Sequence, residues 1–213
     1  MKKQVVLLSF LVLIMSANSQ SINDLFFPTE VQVSWLGIDF SHVKLIGDFS
    51  QFGGAGEVSE FQIRDEYFPA WNRLILNEPE KYDLKGMIRN ADLVYDIEMI
   101  AEINSAAAVE DMVSYNTPNY SKQDIETFVS VYDTKDKNGI GILFLAESLN
   151  KSMKEAYFHF VAIDMKSNKV LLQERLKGKP KGFGIRNYWA GAIHKVIKEI
   201  SNNRYKDWES KYN

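Results

Sequence analysis

The sequence predicts an α+β (α/β) fold in which a mixed, largely antiparallel sheet carries three or more packed helices. Two observations lead to this prediction. Apolar residues alternate along the chain between strand spacing and helical spacing, and the last third joins neighbouring strands to an amphipathic helix. The predicted order of elements is β-α-β-α-β-β-β-α.

The amino-terminal half opens with strand-like sequence. Residues 31–47 (VQVSWLGIDFSHVKLIG) predict one long strand or two with a break, and Gly37 inside the run indicates a bulge or a close backbone approach. The glycine-rich stretch 48–57 predicts a loop. A helix is expected over 68–77 from its i, i+3, i+4 apolar spacing, and 78–90 predicts a second helical piece.

The middle of the chain is less uniform. Residues 92–103 fit either a strand or a helix, because their apolar residues satisfy both spacings, and their β-branched and aromatic residues favour the strand. Ser121 is the expected N-cap of the next helix, which runs to about Tyr132, and Asp124 lies in its first turn.

The carboxyl-terminal half predicts a run of strands and a final helix. The strand at 157–165 is apolar on both faces, so we expect it to be central and covered twice. The final helix begins near Ile185, and a polar tail, either a short helix or a frayed end, follows from about residue 201. The three predicted strands are 140–149, 157–165 and 170–176, with a turn at 166–168 that makes the last pair antiparallel.

The first 19 residues predict a secretory signal peptide. Two lysines precede an apolar run, 5–15, and small residues place cleavage before Gln20. The alternative is an uncleaved membrane anchor, but the apolar run is about half of the roughly 20 residues that a bilayer span needs. No second apolar run of spanning length occurs in the sequence, so no integral membrane span is expected after cleavage. The predicted organisation is a signal peptide, 1–19, and a single α/β domain, 20–213.

The net charge and the cysteine content limit which cellular compartment and which classes of partner the chain is expected to have. The chain has 25 Lys and Arg against 28 Asp and Glu, a net charge of -3 that becomes -5 once the two leader lysines are removed. A mildly acidic chain argues against nucleic acid as a partner. The sequence contains no cysteine, which excludes disulfides and a lipoprotein anchor. We therefore expect a bacterial protein that is periplasmic or secreted and soluble after cleavage.

Residues 178–189 (GKPKGFGIRNYW), called the basic loop below, form the first candidate site. Cations surround two glycines and lead into a helix, and exposed amides at a helix start attract anions. The pattern is neither a Walker P-loop nor the dinucleotide fingerprint. The alternative is a flexible crossover from strand to helix whose aromatic residues pack in the core. The candidate anion-binding residues are Lys179, Lys181, Gly182, Gly184, Arg186 and Asn187.

Asp39 and His42 form the second candidate, a pocket for acid–base chemistry. The alternative is that Asp39 caps a turn at a strand end. The histidines are too far apart in sequence to indicate a metal site, and His159, inside an apolar strand, is expected to be a satisfied core residue. No catalytic residue and no cofactor is indicated.

Three stretches carry a resemblance: WLGIDFSHVKLIG at 35–47, GIGILFLAESLNK at 139–151 and GKPKGFGIRNYWA at 178–190. Together they resemble small exported bacterial proteins of a family of unknown function. The stretch 162–179, followed by an amphipathic helix, is similar in architecture to the amino-terminal domain of TolB and to the periplasmic part of the curli-secretion lipoprotein. That resemblance implies the binding of other envelope proteins rather than catalysis.

Two functions follow as expectations. The favoured one is a non-catalytic binding or assembly module of the cell envelope that engages a protein partner through a sheet edge or the basic loop. The alternative is an enzyme or small-ligand binder for an anionic compound, with Lys179, Lys181 and Arg186 as contacts.

Overall fold

In the computed structural model, which describes residues 19–27, 30–52, 56–134 and 137–212, a seven-stranded sheet forms the centre of the fold. Two further strands, β3 and β4, form a separate antiparallel ribbon. The predicted signal peptide lies almost entirely outside the described residues. The strands are β1 (Val33–Asp39), β2 (Lys44–Ile46), β3 (Gln51–Phe52), β4 (Gly56–Glu57), β5 (Val94–Tyr95), β6 (Val113–Ser114), β7 (Ile140–Asn150), β8 (Glu155–Asp164) and β9 (Lys169–Gly178).

Strand β7 organises the sheet. β1 and β2 pair in parallel with successive stretches of one side of β7, and β5 and β6 add to them in parallel. β8 pairs antiparallel with the other side, and β9 pairs antiparallel with β8. The expectation of a largely antiparallel sheet is therefore wrong, because the five strands from β5 through β1, β7 and β2 to β6 all run parallel. Long helical crossovers return the chain in the same direction, and this is an α/β fold.

The helices flank this sheet. Two of them continue through π turns: α2 joins α3 through Ile63–Tyr67, and α7 joins α8 through Ile200–Arg204. A short 3₁₀ turn covers Val109–Asp111. The α-helices are α1 (Asn23–Phe26), α2 (Glu60–Gln62), α3 (Phe68–Asn77), α4 (Leu84–Met87), α5 (Glu98–Ser105), α6 (Lys122–Ser130), α7 (Gly184–Glu199) and α8 (Tyr205–Tyr212).

Several local predictions are confirmed. The helix expected over 68–77 is α3, and the run 31–47 is two strands with a break, with Gly37 at a register shift against β7. Ser121 caps α6, since its hydroxyl accepts from the Asp124 amide at 3.2 Å while the Asp124 carboxylate accepts from the Ser121 amide at 2.7 Å. These elements depend on neighbours in sequence, which a local pattern can read.

The strand favoured for 92–103 is wrong over most of its length. Only Val94 and Tyr95 pair with β1, and the chain is helical from Glu98. Met99 and Ile100 are buried on the inner side of that helix. The alternative helical spacing therefore applies from Glu98 onward, because a helix and not a strand packs against β1 here.

Two asparagines replace a neighbouring strand where β5 ends. The Ile38 amide donates to Asn72 Oδ1 at 2.7 Å, and the Phe40 amide donates to Asn104 Oδ1 at 2.6 Å. Both side-chain amides donate to the Ile38 carbonyl, at 3.0 and 2.8 Å. The edge of β1 is thus satisfied by α3 and α5, which anchors both helices to the sheet.

The core has a layer on each face of the sheet. On β8, Phe158, Phe160 and Ala162 belong to the layer under α3 and α7, while Val161 and Ile163 belong to the layer under α6. This confirms the prediction of a central strand that is covered twice. Each fully buried aromatic or aliphatic side chain contributes about 1.5–3 kcal/mol of transfer free energy.

The polar tail is a helix rather than a frayed end. Tyr205 and Trp208 are buried, and the Trp208 ring stacks on Phe160 with centroids 4.8 Å apart. The indole of Trp208 also donates to the Glu174 carboxylate on β9. Within the described ranges, no helix has the length and apolar character needed to cross a bilayer.

Candidate functional site

The basic loop connects β9 to α7 and presents its polar side chains to solvent. Lys179, Lys181, Arg186 and Asn187 are exposed, and Phe183 is 77% exposed. Among the described residues, none of the three cations forms an ion pair. Four of the predicted anion-binding residues are therefore accessible on one short segment.

Close packing fixes the backbone of this loop. Gly182 has a φ of +134°, and a Cβ there would lie 2.8 Å from the Asn187 carbonyl oxygen. A Cβ on Gly178 would lie 2.4 Å from the Ala192 carbonyl oxygen. The Trp71 indole donates to the Arg186 carbonyl at 2.9 Å. The crossover is thus pinned to α3 and α7, and its charged side chains extend from a fixed frame.

The first turn of α7 is open to an acceptor. Phe183 is the N-cap and gives no side-chain hydrogen bond to the first amides, and the turn carries no acidic residue. Gly184 begins the helix with a φ of +72° and is half-buried. The positive end of the helix dipole therefore adds to the charge of the basic loop.

Asp39 and His42 lie elsewhere. Asp39, which ends β1, is 1% exposed, and its carboxylate accepts from the Ser41 amide at 2.7 Å and from the Tyr132 hydroxyl. The His42 ring stacks on Phe128 with centroids 3.6 Å apart. Asp39 thus caps a turn, and no contact among the described residues joins it or His42 to the basic loop.

Burial shifts the pKa of His42 and of Tyr132, the phenol that contacts Asp39. Burial lowers the pKa of His42 below its ordinary value of 6.5, although the nearby Asp39 carboxylate acts in the opposite direction. Burial and the Asp39 carboxylate raise the pKa of Tyr132 well above 10. At neutral pH the histidine and the phenol are uncharged. The Tyr132 hydroxyl is held in a buried hydrogen bond to Asp39, and the His42 ring lies against Phe128.

Sequence reasoning missed a buried ionic cluster on the α6 face of the sheet. Glu147 is the unpaired residue at a register shift in β7, and its side chain is fully buried. Arg175 on β9 donates to it from both Nε, at 2.9 Å, and Nη2. The backbone amide of Tyr120 adds a bond at 3.2 Å. We call Glu147, His159, Gln173 and Arg175 the Glu147 network.

His159 completes this network and is the satisfied core residue that the sequence predicts. Its Nε2 lies 2.8 Å from Glu147 Oε2, and its Nδ1 lies 2.6 Å from Gln173 Nε2. Because a carboxylate only accepts, Nε2 carries the proton and Nδ1 accepts from the glutamine. Both ring nitrogens are occupied, so neither is available for catalysis.

The charges of the Glu147 network are balanced inside the protein. Burial alone would raise the pKa of Glu147, but hydrogen bonds from His159 and Arg175 outweigh it and lower the pKa. Burial and the Glu147 carboxylate raise the pKa of Tyr120 to about 12. An ionised carboxylate with this many donors is a structural group. The available sequence signal was a glutamate and a histidine inside adjacent apolar strands.

The remaining histidine, His194, is half-buried on α7 against Tyr82, and burial lowers its pKa. Neither the basic loop nor Asp39 and His42 line the surface cavities of 380, 480, 510 and 640 Å³ in the described part of the chain. Across the described ranges, no group of three His, Cys, Asp or Glu side chains is placed to hold a metal ion.

Comparisons with known proteins leave the function open. No family model and no curated protein matches the sequence. A hypothetical protein from Chlamydia trachomatis aligns with a TM-score of 0.33 and 12% identity over 84% of this chain and 98% of the other. A neuraminyllactose-binding hemagglutinin homolog from Helicobacter pylori aligns with a TM-score of 0.33 and 11% identity, over 87% and 91%. Both scores are too low to support an argument. A family of unknown function fits these findings, and the likeness to the TolB and curli-secretion domains gains no support.

Proposed function

We infer that this chain is a non-catalytic binding module of the bacterial cell envelope that engages a protein partner through the basic loop. The observation that carries this proposal is the set of three exposed cations, Lys179, Lys181 and Arg186, beside the exposed ring of Phe183. Arginine and aromatic side chains are enriched where proteins bind one another.

The rest of the molecule supports binding over catalysis. The buried titratable groups described above are paired: Asp39 with Tyr132, and Glu147 with His159 and Arg175. The basic loop is an outward surface and does not line the four cavities described, whereas small-ligand sites are concave. An exposed basic segment on an acidic chain is suited to binding an acidic protein surface.

The predicted export signal supports the envelope as the compartment. The leader sequence carries a secretory signal pattern. The absence of cysteine removes lipid attachment through that residue. The proposed module therefore acts after cleavage before Gln20.

A capture experiment with matched variants tests this function. The chain is expressed with its leader, cross-linked in intact cells and purified, and the amino terminus of the product is sequenced. We expect a product that begins at Gln20 and a defined cross-linked partner that is lost when Lys179, Lys181 and Arg186 are changed to Ala.

The control removes three other exposed cations, Lys85, Lys195 and Lys206, so that the net charge change is the same. Recovery of the partner by the control but not by the loop variant supports the proposal. Equal recovery of the partner by both variants would show that the basic loop does not bind it. A product that keeps residue 1 would show that the leader is not cleaved and would contradict the proposed compartment.

A further inference from the structure

The outer side of β9 is an open sheet edge. β9 pairs with β8 over its full length, and in the described residues no strand pairs with its other side. Within the described ranges, no loop or helix backbone group bonds to the backbone of residues 170–178 on that side. In such a strand, alternate residues direct N–H and C=O groups outward without partners.

The strand at this edge is much longer than the strands at the other two ends of the sheet. β9 contains ten residues, whereas β5 and β6 contain two each. A stretch of ten residues can hold an added strand by main-chain hydrogen bonds, but a two-residue strand cannot.

The edge also carries features that reject unsuitable strands. The register shift against β8 leaves Leu171 unpaired as a bulge, and Lys169 and Lys177 stand near the two ends. Bulges and edge lysines are the devices by which proteins prevent indiscriminate pairing. Here they leave a regular stretch from residue 172 to residue 178, and their charge disfavours a basic or purely apolar strand.

The acidic groups along this edge are matched by cations of the fold, so the charges that remain without a partner in the described residues are positive. Glu155 pairs with Lys177, and Glu174 accepts from Trp208 and Arg204. Lys169 and the cations of the basic loop, which begins where β9 ends, have no ion-pair partner among the described residues. Unpaired positive charge therefore lies at both ends of β9, at Lys169 and at the basic loop.

A second copy of this chain is a poor occupant. Regular antiparallel self-pairing centred on Gln173 would place Lys169 opposite Lys177. Centring on Glu174 would place that carboxylate opposite its own copy. Like charges directly opposite one another destabilise a strand pair.

We propose that the outer edge of β9 binds an extended acidic segment of a partner protein as an added strand, with the basic loop holding the residues that continue past Gly178. This inference rests on the proposed binding function and specifies the partner's chemistry. Main-chain hydrogen bonds supply affinity, and the lysines supply the preference for acidic side chains.

Amide hydrogen exchange with a defined peptide tests the proposal. The probe is an acetylated decapeptide of alternating glutamate and valine, added to the isotope-labelled chain. Alternate amides of β9 exchange quickly in the free chain, and we expect the peptide to slow them by about tenfold or more. Two control peptides, one with lysine for glutamate and one N-methylated at alternate residues, should leave those amides unchanged.

A charge-reversal variant adds a second measurement. Lys169→Glu with Lys179→Glu should weaken binding of the acidic peptide by about tenfold or more, while Lys195→Glu with Lys198→Glu should have little effect. Protection confined to the basic loop would overturn the β9 proposal and leave the binding function standing. Absence of peptide binding, or protection that depends on self-association, would also overturn it. If the peptide protected β9 but the loop variant and its control captured the cross-linked partner equally well, the proposed function would be overturned instead.

Discussion

Two charged regions meet at strand β9, and they differ in whether their charges have partners within the protein. In the Glu147 network every charge has a partner and the carboxylate is fully buried. In the basic loop the cations are exposed and form no ion pair among the described residues. The comparison teaches that the number of charged residues does not identify a functional surface. Charges that are satisfied internally stabilise the fold, and those without partners are available to bind.

The largest effect is expected from Glu147→Gln. This change removes the charge but keeps the size, and it leaves His159 and Arg175 without their carboxylate. Removing one partner of a buried ion pair costs about 3–5 kcal/mol, which urea unfolding would measure. The matched control is Glu155→Gln, whose ion pair with Lys177 is near the surface and is worth about 1 kcal/mol or less. If both variants lost the same free energy of unfolding, the buried Glu147 pair would be no more stabilising than the surface pair of Glu155 and Lys177.

The same variant should show the pH dependence of the network. Because the pKa of Glu147 is lowered in the folded chain, its stabilisation is fully present above the ordinary value of 4.5 and is lost as the pH falls through the folded-state pKa. The difference in unfolding free energy between the parent and Glu147→Gln should therefore be largest near pH 7 and narrow below pH 4.5. A difference that is constant from pH 7 to pH 3 would refute the assignment of an ionised Glu147.

A smaller loss is expected from Asn104→Ala. This substitution leaves the Phe40 amide without its acceptor at the edge of β1, and an unsatisfied buried backbone group costs about 1–3 kcal/mol. Asn138→Ala, at an exposed position, serves as the control. Hydrogen exchange at the Phe40 amide gives a direct second readout, since this proton should lose its protection before the rest of β1 does.

The smallest effect on stability is expected in the basic loop. Changing Lys179, Lys181 and Arg186 together to Ala should alter the free energy of unfolding by about 0.5 kcal/mol or less, because exposed cations without partners contribute little. Gly182→Ala should cost about 1 kcal/mol or more, because its positive φ and the nearby Asn187 carbonyl oppose a Cβ. A large loss from the triple variant would mean that these cations stabilise the fold.

Local elements were predictable from the sequence, but strand direction was not. The helix at 68–77 and the Ser121 cap follow from neighbours within four residues, so a pattern is sufficient. The parallel pairing of β1 with β7 joins residues about a hundred positions apart, and no local signal reports which way such strands run. Residues 92–103 satisfied two periodicities, and contacts with β1 decided between them.

Because a sequence pattern reports only on residues that are close in the chain, it could reveal the basic loop but not the Glu147 network. The basic loop was recognisable because its glycines and cations are consecutive. Glu147, His159 and Arg175 lie on three strands, and each alone is an ordinary exception in an apolar or mixed run. Only the register of β7, β8 and β9 brings them together.

The π turn at Ile200–Arg204 lets the carboxyl-terminal helix accommodate one extra residue without changing the direction in which α8 presents its side chains. A π turn holds one residue more than the α-helical turn that it replaces, and one residue rotates a helix by about 100°. Deleting one residue there would convert the π turn into an α-helical turn and leave the Trp208 indole facing Phe160. The same deletion inside α8 before Trp208 would rotate the indole away by about 100°.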